Sequence, residues 1–165
     1  MQVFMSEYTF EDSAKALDNK RLVKQLLEGR QILAALAGQT KGWRNHPATK
    51  MFEGHELALY GYLYCIAKEM QSRGYKYENN WNEIVKLRDY FDREDGYSNP
   101  PWFIDRVTLH SVVTTHRRSL YNKAPELYPQ YEYEASIGAG FVCCDRCNYY
   151  WPVKGHGEKE LVDEH

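Results

Sequence analysis

The stretch "LDNKRLVKQLLEGRQIL", Leu17 to Leu33, decides how the rest of the chain is read. Leu22, Leu26 and Leu33 recur at the spacing of one helix face, so the segment is an amphipathic helix with a buried side. Arg21, Gln25 and Glu28 stand at i, i+4 and i+7, a polar stripe directly beside that side. Two readings fit the stripe. It is either a surface ladder of the kind that adds a few tenths of a kcal/mol to a helix, or a partly desolvated carboxylate with fixed neighbours, the type of group that general acid/base chemistry needs.

Working outward, "TFED" (Thr9 to Asp12) has the form of a capping box with Thr9 as N-cap. "DN" at Asp18–Asn19 marks a break, and Gly38 closes the helical pattern. "GQTKGWRNHP" reads as a loop. Pro47 suits the first turn of a second helix, about 48 to 73, with Phe52, Leu59, Leu63, Ile66 and Met70 inside and Gly74 as its stop. Cys65 lies on this helix and is read as core. "WNEIVKLRDYF" is a shorter helix, "GYSNPPW" a rigid loop, and a last helix covers about 104 to 123. No segment alternates as a strand would. The expected fold is all-α: a compact single domain of three or four main helices, with residues 1–136 as the helical part and 137–165 a loop-rich, Cys-rich and aromatic segment packed on it.

The chain has 165 residues, 43% hydrophobic and 27% charged, which is the composition of a globular domain. The formal charge is −2, yet residues 1–50 carry 8 Lys/Arg against 5 Asp/Glu and residues 101–125 carry 4 against 1. Two basic segments can build the basic face that nucleic acid requires without a basic protein overall. There are 14 Tyr and 4 Trp, useful for stacking on bases as well as for a core. No run resembles a signal peptide and none would span a bilayer, so the expectation is a cytoplasmic protein (host cytoplasm if phage-encoded) with no membrane partner and no evident protein partner.

Three further segments carry candidate chemistry. In "TTHRRSLYNK", Arg117, Arg118 and Lys123, with Thr114, Thr115, His116 and Ser119, are donor types that hold phosphate oxygens; a basic solvated helix end is the equal alternative. His46 and His55 sit near helix beginnings, where capping or packing is the commoner role. In "VCCDRCNYYW", Cys144 and Cys147 have the spacing of a metal knuckle, with Cys143, His156 and His165 as further ligand candidates. A structural zinc and reduced free thiols are both open readings. No cofactor is expected for catalysis. Tyr149, Tyr150 and Trp151 suit either stacking on an unpaired base or packing on the helices.

Taken in order, "DNKRLVKQLLEGRQIL", "NHPATKMFEGHELALYGYLYCIAKEMQSRGY", "HRRSLYNKAPELY" and "YYWPV" resemble the pyrimidine-dimer DNA glycosylase family, most closely a phage and bacterial branch. The phage endonuclease V type resembles it more distantly. The resemblance implies an all-α fold that binds DNA, flips a nucleotide and breaks the glycosidic bond. It also implies an N-terminal amine as nucleophile through a Schiff base and a helical glutamate as acid/base, with strand cleavage by a lyase step left open. That glutamate falls at Glu28, and Arg21 falls at a DNA-contacting position. Lys20, Gln25, His46, Arg117, Arg118, Lys123, Tyr150 and Trp151 complete the expected DNA contacts. Two departures stand out: Gln2 replaces the threonine whose amine serves the endonuclease V type, and the cysteine-bearing stretch is absent from that pattern. The nucleophile is therefore open between the Met1 amine, Lys20 or Lys24, and no Schiff base at all. Three functions follow as alternatives: a glycosylase for a damaged or modified pyrimidine, a base-modifying enzyme of a phage hypermodification pathway, and a non-catalytic DNA-binding module.

Overall fold

A computed structural model describes residues 2–91, 96–137 and 149–153. Among these, secondary structure consists of eight α-helices and two short 3-10 turns. The helices are α1 (Phe10–Ala16), α2 (Asn19–Leu36), α3 (Pro47–Lys50), α4 (Glu56–Ser72), α5 (Glu78–Arg88), α6 (Pro101–Ile104), α7 (Arg106–Lys123) and α8 (Glu132–Ser136). The chain divides into two units: Met1–Phe4 with Thr9–Pro100, and Met5–Tyr8 with Pro101–His165.

In the first unit the local signals act as their chemistry dictates. Thr9 Oγ1 accepts the Asp12 amide at 3.1 Å and starts α1. Asp18 starts α2 by accepting the Arg21 amide at 3.2 Å, and its other oxygen takes the Arg21 guanidinium at 2.7 Å. Leu22, Leu26, Ile32 and Leu33 are fully buried. They pack towards α4, whose Leu59, Tyr62, Leu63 and Ile66 are equally buried. Gly29 is required at this crossing, since a β-carbon there would stand 2.1 Å from Leu63 Cδ2. Arg44 donates to the Ala35 and Leu36 carbonyls, which satisfies the C-terminal end of α2. Arg73, beyond α4, does the same for α1 through the Leu17 and Lys15 carbonyls.

The single helix expected over 48–73 is instead two. Gly54 adopts φ +83°, a left-handed turn that ends the α3 segment, and its amide donates to Glu56 Oε1 at 2.9 Å where α4 begins. The last helix likewise starts later than expected, at Arg106. Asp105 caps it by accepting the Thr108 amide at 2.9 Å, which separates α6 from α7. Cys65 is a half-buried free thiol rather than a core residue. Among the described residues no helix is long and apolar enough to cross a membrane.

The second unit is organised around α7, which buries Leu109, Val112, Val113 and Leu120. It holds residues 5–7 in place. His116, fully buried, accepts the Met5 amide on Nδ1 at 2.8 Å. Arg117 donates to the Ser6 carbonyl at 2.6 Å and to Glu7 at 2.6 Å. Tyr149 stands edge-on to the His116 ring, with centroids 5.4 Å apart.

Burial, reinforced by the nearby Lys123 charge, pushes the His116 imidazole down to about 3. Between pH 6.5 and 3 the unfolded chain therefore binds a proton that the folded chain does not. Stability is expected to fall as pH is lowered through that window. In urea titrations at successive pH values, His116→Gln should show a shallower decline than the parent chain. Equal slopes would mean that this imidazole does not titrate on unfolding.

Candidate active site

The opening stripe has an unexpected centre. Gln25 lies in the core at 1% exposure, and its amide behaves like a piece of neighbouring β-strand. Its Nε2 donates to the Gln2 carbonyl at 2.8 Å, and its Oε1 accepts the Phe4 amide at 3.0 Å. Tyr62 from α4 completes the arrangement: its hydroxyl lies 2.7 Å from Gln25 Oε1 and 3.0 Å from the Phe4 carbonyl. Burial raises the Tyr62 phenol well above its ordinary range, so it stays a neutral donor. The Gln2 side chain turns back on its own backbone, accepting the Val3 amide at 3.1 Å.

This clamp delivers the start of the chain to Glu28. The Gln2 amide nitrogen donates to Glu28 Oε2 at 3.3 Å, and Gln25 Nε2 reaches the same oxygen at 3.5 Å. The other oxygen faces Lys24 Nζ at 3.6 Å. The Glu28 side chain is 13% exposed, against 66% for Lys24. A carboxylate with two amide donors, one cation and a narrow opening to solvent is held in a fixed orientation. It can exchange a proton with whatever reaches that opening.

Of the expected DNA contacts in this unit, Lys20 is exposed and Arg21 half-buried in its ion pair with Asp18. Gln25 is a core residue whose amide is occupied, a positioning group rather than an exposed contact. His46 caps α3, accepting the Ala48 amide on Nδ1 at 3.1 Å, with the Trp43 ring edge-on to it. His55 pairs with Ser98 at 3.0 Å.

The second unit assigns its candidates differently from the sequence expectation. Arg117, expected on phosphate, is enclosed by two carboxylates, Glu7 at 2.6 Å and Glu134 at 2.8 Å, with the Tyr8 and Tyr131 rings stacked about its guanidinium. Its charge is neutralised internally. Trp151, expected to stack on a base, is buried, and the Tyr150 amide donates to Thr115 Oγ1 at 3.0 Å. The aromatic triplet thus packs on α7, the alternative its composition already allowed. Arg118 is half-buried, while Lys123 is exposed and donates to the Tyr149 hydroxyl at 2.6 Å. Met1, Cys143, Cys144, Cys147 and His156 lie outside the described residues, and so does the zinc expectation that rests on the last four.

Comparison with known proteins bears on this geometry directly. A family model described as pyrimidine dimer DNA glycosylase matches residues 1–83, half of the chain, including Gln2, Lys24, Gln25, Glu28 and Tyr62. The chain belongs to the pyrimidine dimer DNA glycosylase family. Searches of curated proteins and of solved structures returned no match. Membership makes DNA the substrate of this glycosylase-family chain. Tyr62 and Gln2 were missed in the sequence because neither carries a motif. The only available signal was a tyrosine on the apolar face of α4, where a buried hydroxyl demands a partner.

Replacing Gln25 with Met leaves the Phe4 amide and the Gln2 carbonyl without their partner, at about 1–3 kcal/mol per buried unsatisfied group. Gln25→Met should therefore lower the unfolding free energy by about 2–5 kcal/mol in urea titrations, and the Phe4 amide should lose its protection from hydrogen exchange. Retained protection at Phe4 would show that the clamp does not hold the lead-in.

Proposed function

We propose that this protein is a DNA repair glycosylase for a damaged pyrimidine, with Glu28 as its acid/base and an α-amine at residue 1 as its nucleophile. The observation that carries the reading is the Glu28 carboxylate within 3.3 Å of the Gln2 amide nitrogen. One peptide unit before that nitrogen is where an α-amine at residue 1 begins, a covalent distance of under about 4 Å. The clamp built from Gln25 and Tyr62 fixes the backbone whose Gln2 nitrogen meets this carboxylate, which supports the catalytic reading over a passive DNA-binding module.

Two amines stand near Glu28 in this reading. The α-amine is tied by covalent linkage to the clamped Gln2 nitrogen, whereas Lys24 reaches Glu28 at 3.6 Å from a mostly exposed side chain, so the α-amine is the nucleophile with the fixed position. Its lone pair forms a bond to the sugar C1′ as the bond from C1′ to the base breaks. The bonding electrons leave with the base, which takes up a proton from solvent. Glu28 accepts the proton that the amine loses and returns it to the ring oxygen as the sugar opens to a protonated imine. The regenerated Glu28 carboxylate then takes the C2′ proton, a C2′–C3′ double bond forms as the C3′–O bond breaks, and the 3′ phosphate leaves, cutting the strand. Reaching C1′ requires the nucleotide to leave the stack, which costs about a few kcal/mol and least at a distorted lesion. Lys20, exposed at the start of α2, meets a phosphate flanking that nucleotide, with Arg21 beside it held by Asp18.

Glu28→Gln keeps the shape and the amide contacts while removing the proton acceptor. On ultraviolet-irradiated duplex DNA it should cut the glycosidic bond, read as strand nicks after alkali because a severed dimer base stays joined to its partner, at least about a hundredfold more slowly than the parent chain, with DNA affinity changed by no more than about threefold. Cleavage at the parent rate would remove Glu28 from the reaction. Lesion binding by the parent chain without any glycosidic cleavage would favour the DNA-binding module.

A further inference from the structure

The opposite side of α4 carries an arrangement that the glycosylase reading does not use. Tyr62 points to Gln25, and Tyr60 and Tyr64, two residues either way, lie about 160° round the helix from it. There they meet Trp81 of α5, with ring centroids 5.2 Å and 5.8 Å from it and interplanar angles of 36° and 57°. The Arg88 guanidinium sits 5.4 Å from the centre of the Tyr60 ring. Tyr97 lies over the helix at Gly61, where a β-carbon would be in ordinary contact with its Cε2 at 3.8 Å. Tyr64 is 49% exposed and Tyr97 56%, while Tyr60 and Trp81 are half-buried. Lys68, one turn beyond Tyr64, is exposed as well.

The chemistry of this patch selects its occupant. Tyrosine, tryptophan and arginine are frequent in protein interfaces too, so the exposed cations decide between occupants: Arg88 and Lys68 flank the rings on the two helices. Rings offering faces beside cations fit a ligand that has both flat π-systems and negative charge along one strand. Sequence-independent stacking with backbone neutralisation is how unpaired nucleic acid is held.

We propose that the α4–α5 aromatic face, Tyr60, Tyr64, Trp81 and Tyr97 with Arg88 and Lys68, is a second nucleic-acid site that binds single-stranded DNA. It faces away from Glu28 within the same unit and stands independently of the glycosylase reading. Unpaired bases stack on Trp81 and Tyr64, and Arg88 and Lys68 meet the phosphates. The site gives the protein a grip on unpaired DNA that does not occupy the lesion cleft.

The test is fluorescence anisotropy of labelled oligothymidylate with the full chain over a series of salt concentrations. Tyr64→Ala and Trp81→Ala should each weaken binding by about tenfold or more, and Tyr64→Phe, which keeps the ring, should bind as the parent chain does. Arg88→Gln should reduce the slope of log affinity against log salt by about 0.7, the single-strand value for one phosphate. Affinity for lesion-bearing duplex should stay unchanged in all of these variants, and circular dichroism should show their helices intact. Unchanged oligothymidylate binding in Tyr64→Ala would overturn the proposal. So would parallel loss of lesion-duplex affinity, which would make this face part of the cleft. A concentration-dependent dimer that Tyr64→Ala dissociates would assign the face to a second copy of the chain. None of these readouts uses base release, so failure of the Glu28 reading leaves them interpretable.

Discussion

A single side-chain amide, that of Gln25, sets the position of the chain's beginning. An extended segment has alternating donors and acceptors that must be paired when buried, and among the described residues no strand lies beside residues 2–4 to pair with them. Gln25 supplies one acceptor and one donor at the spacing a strand would offer, taking the Phe4 amide and the Gln2 carbonyl. Tyr62 fills the remaining valence of the Gln25 oxygen and reaches the Phe4 carbonyl. The consequence is chemical. With residues 2–4 fixed, the Gln2 nitrogen is aimed at the one carboxylate on this face of α2 that is mostly withdrawn from water.

The second unit solves the same problem for residues 5–7 by different means. A neutral imidazole accepts the Met5 amide, and a guanidinium shared by two carboxylates takes the Ser6 carbonyl. His116 and Arg117 of α7 are thereby engaged in holding this segment. Arg117 illustrates the arithmetic: one cation facing two carboxylates has no net charge to give to a phosphate. Basic sequence content alone is thus a poor guide to a DNA-facing surface.

How much was legible depended on whether a signal was local. The α2 leucines, the Thr9 cap and the Asp18 break depend on contacts within a few residues, and each could be read from spacing. Glu28 was visible as a carboxylate beside a core. The role of Gln25 was not, because periodicity places a side chain at an angle on a helix without saying that a lead-in will cover it. The carboxylate partners of Arg117 were not legible because Glu7 and Glu134 lie far from it in the chain and nothing in "THRRS" announces them. The break between α3 and α4 needed the left-handed conformation of Gly54, which the apolar spacing on either side concealed. Membership of the pyrimidine dimer DNA glycosylase family was carried by motifs inside residues 1–83, the same span that holds every member of the Glu28 site.

The account rests on the claim that the clamped lead-in presents an amine to Glu28. Borohydride reduction of the protein while it acts on lesion-bearing DNA, followed by digestion and mass spectrometry of the conjugated peptide, tests it most directly. The account requires the sugar adduct on the α-amine of residue 1. An adduct on Lys20 or Lys24, or base release with no trapped adduct at all, would contradict it.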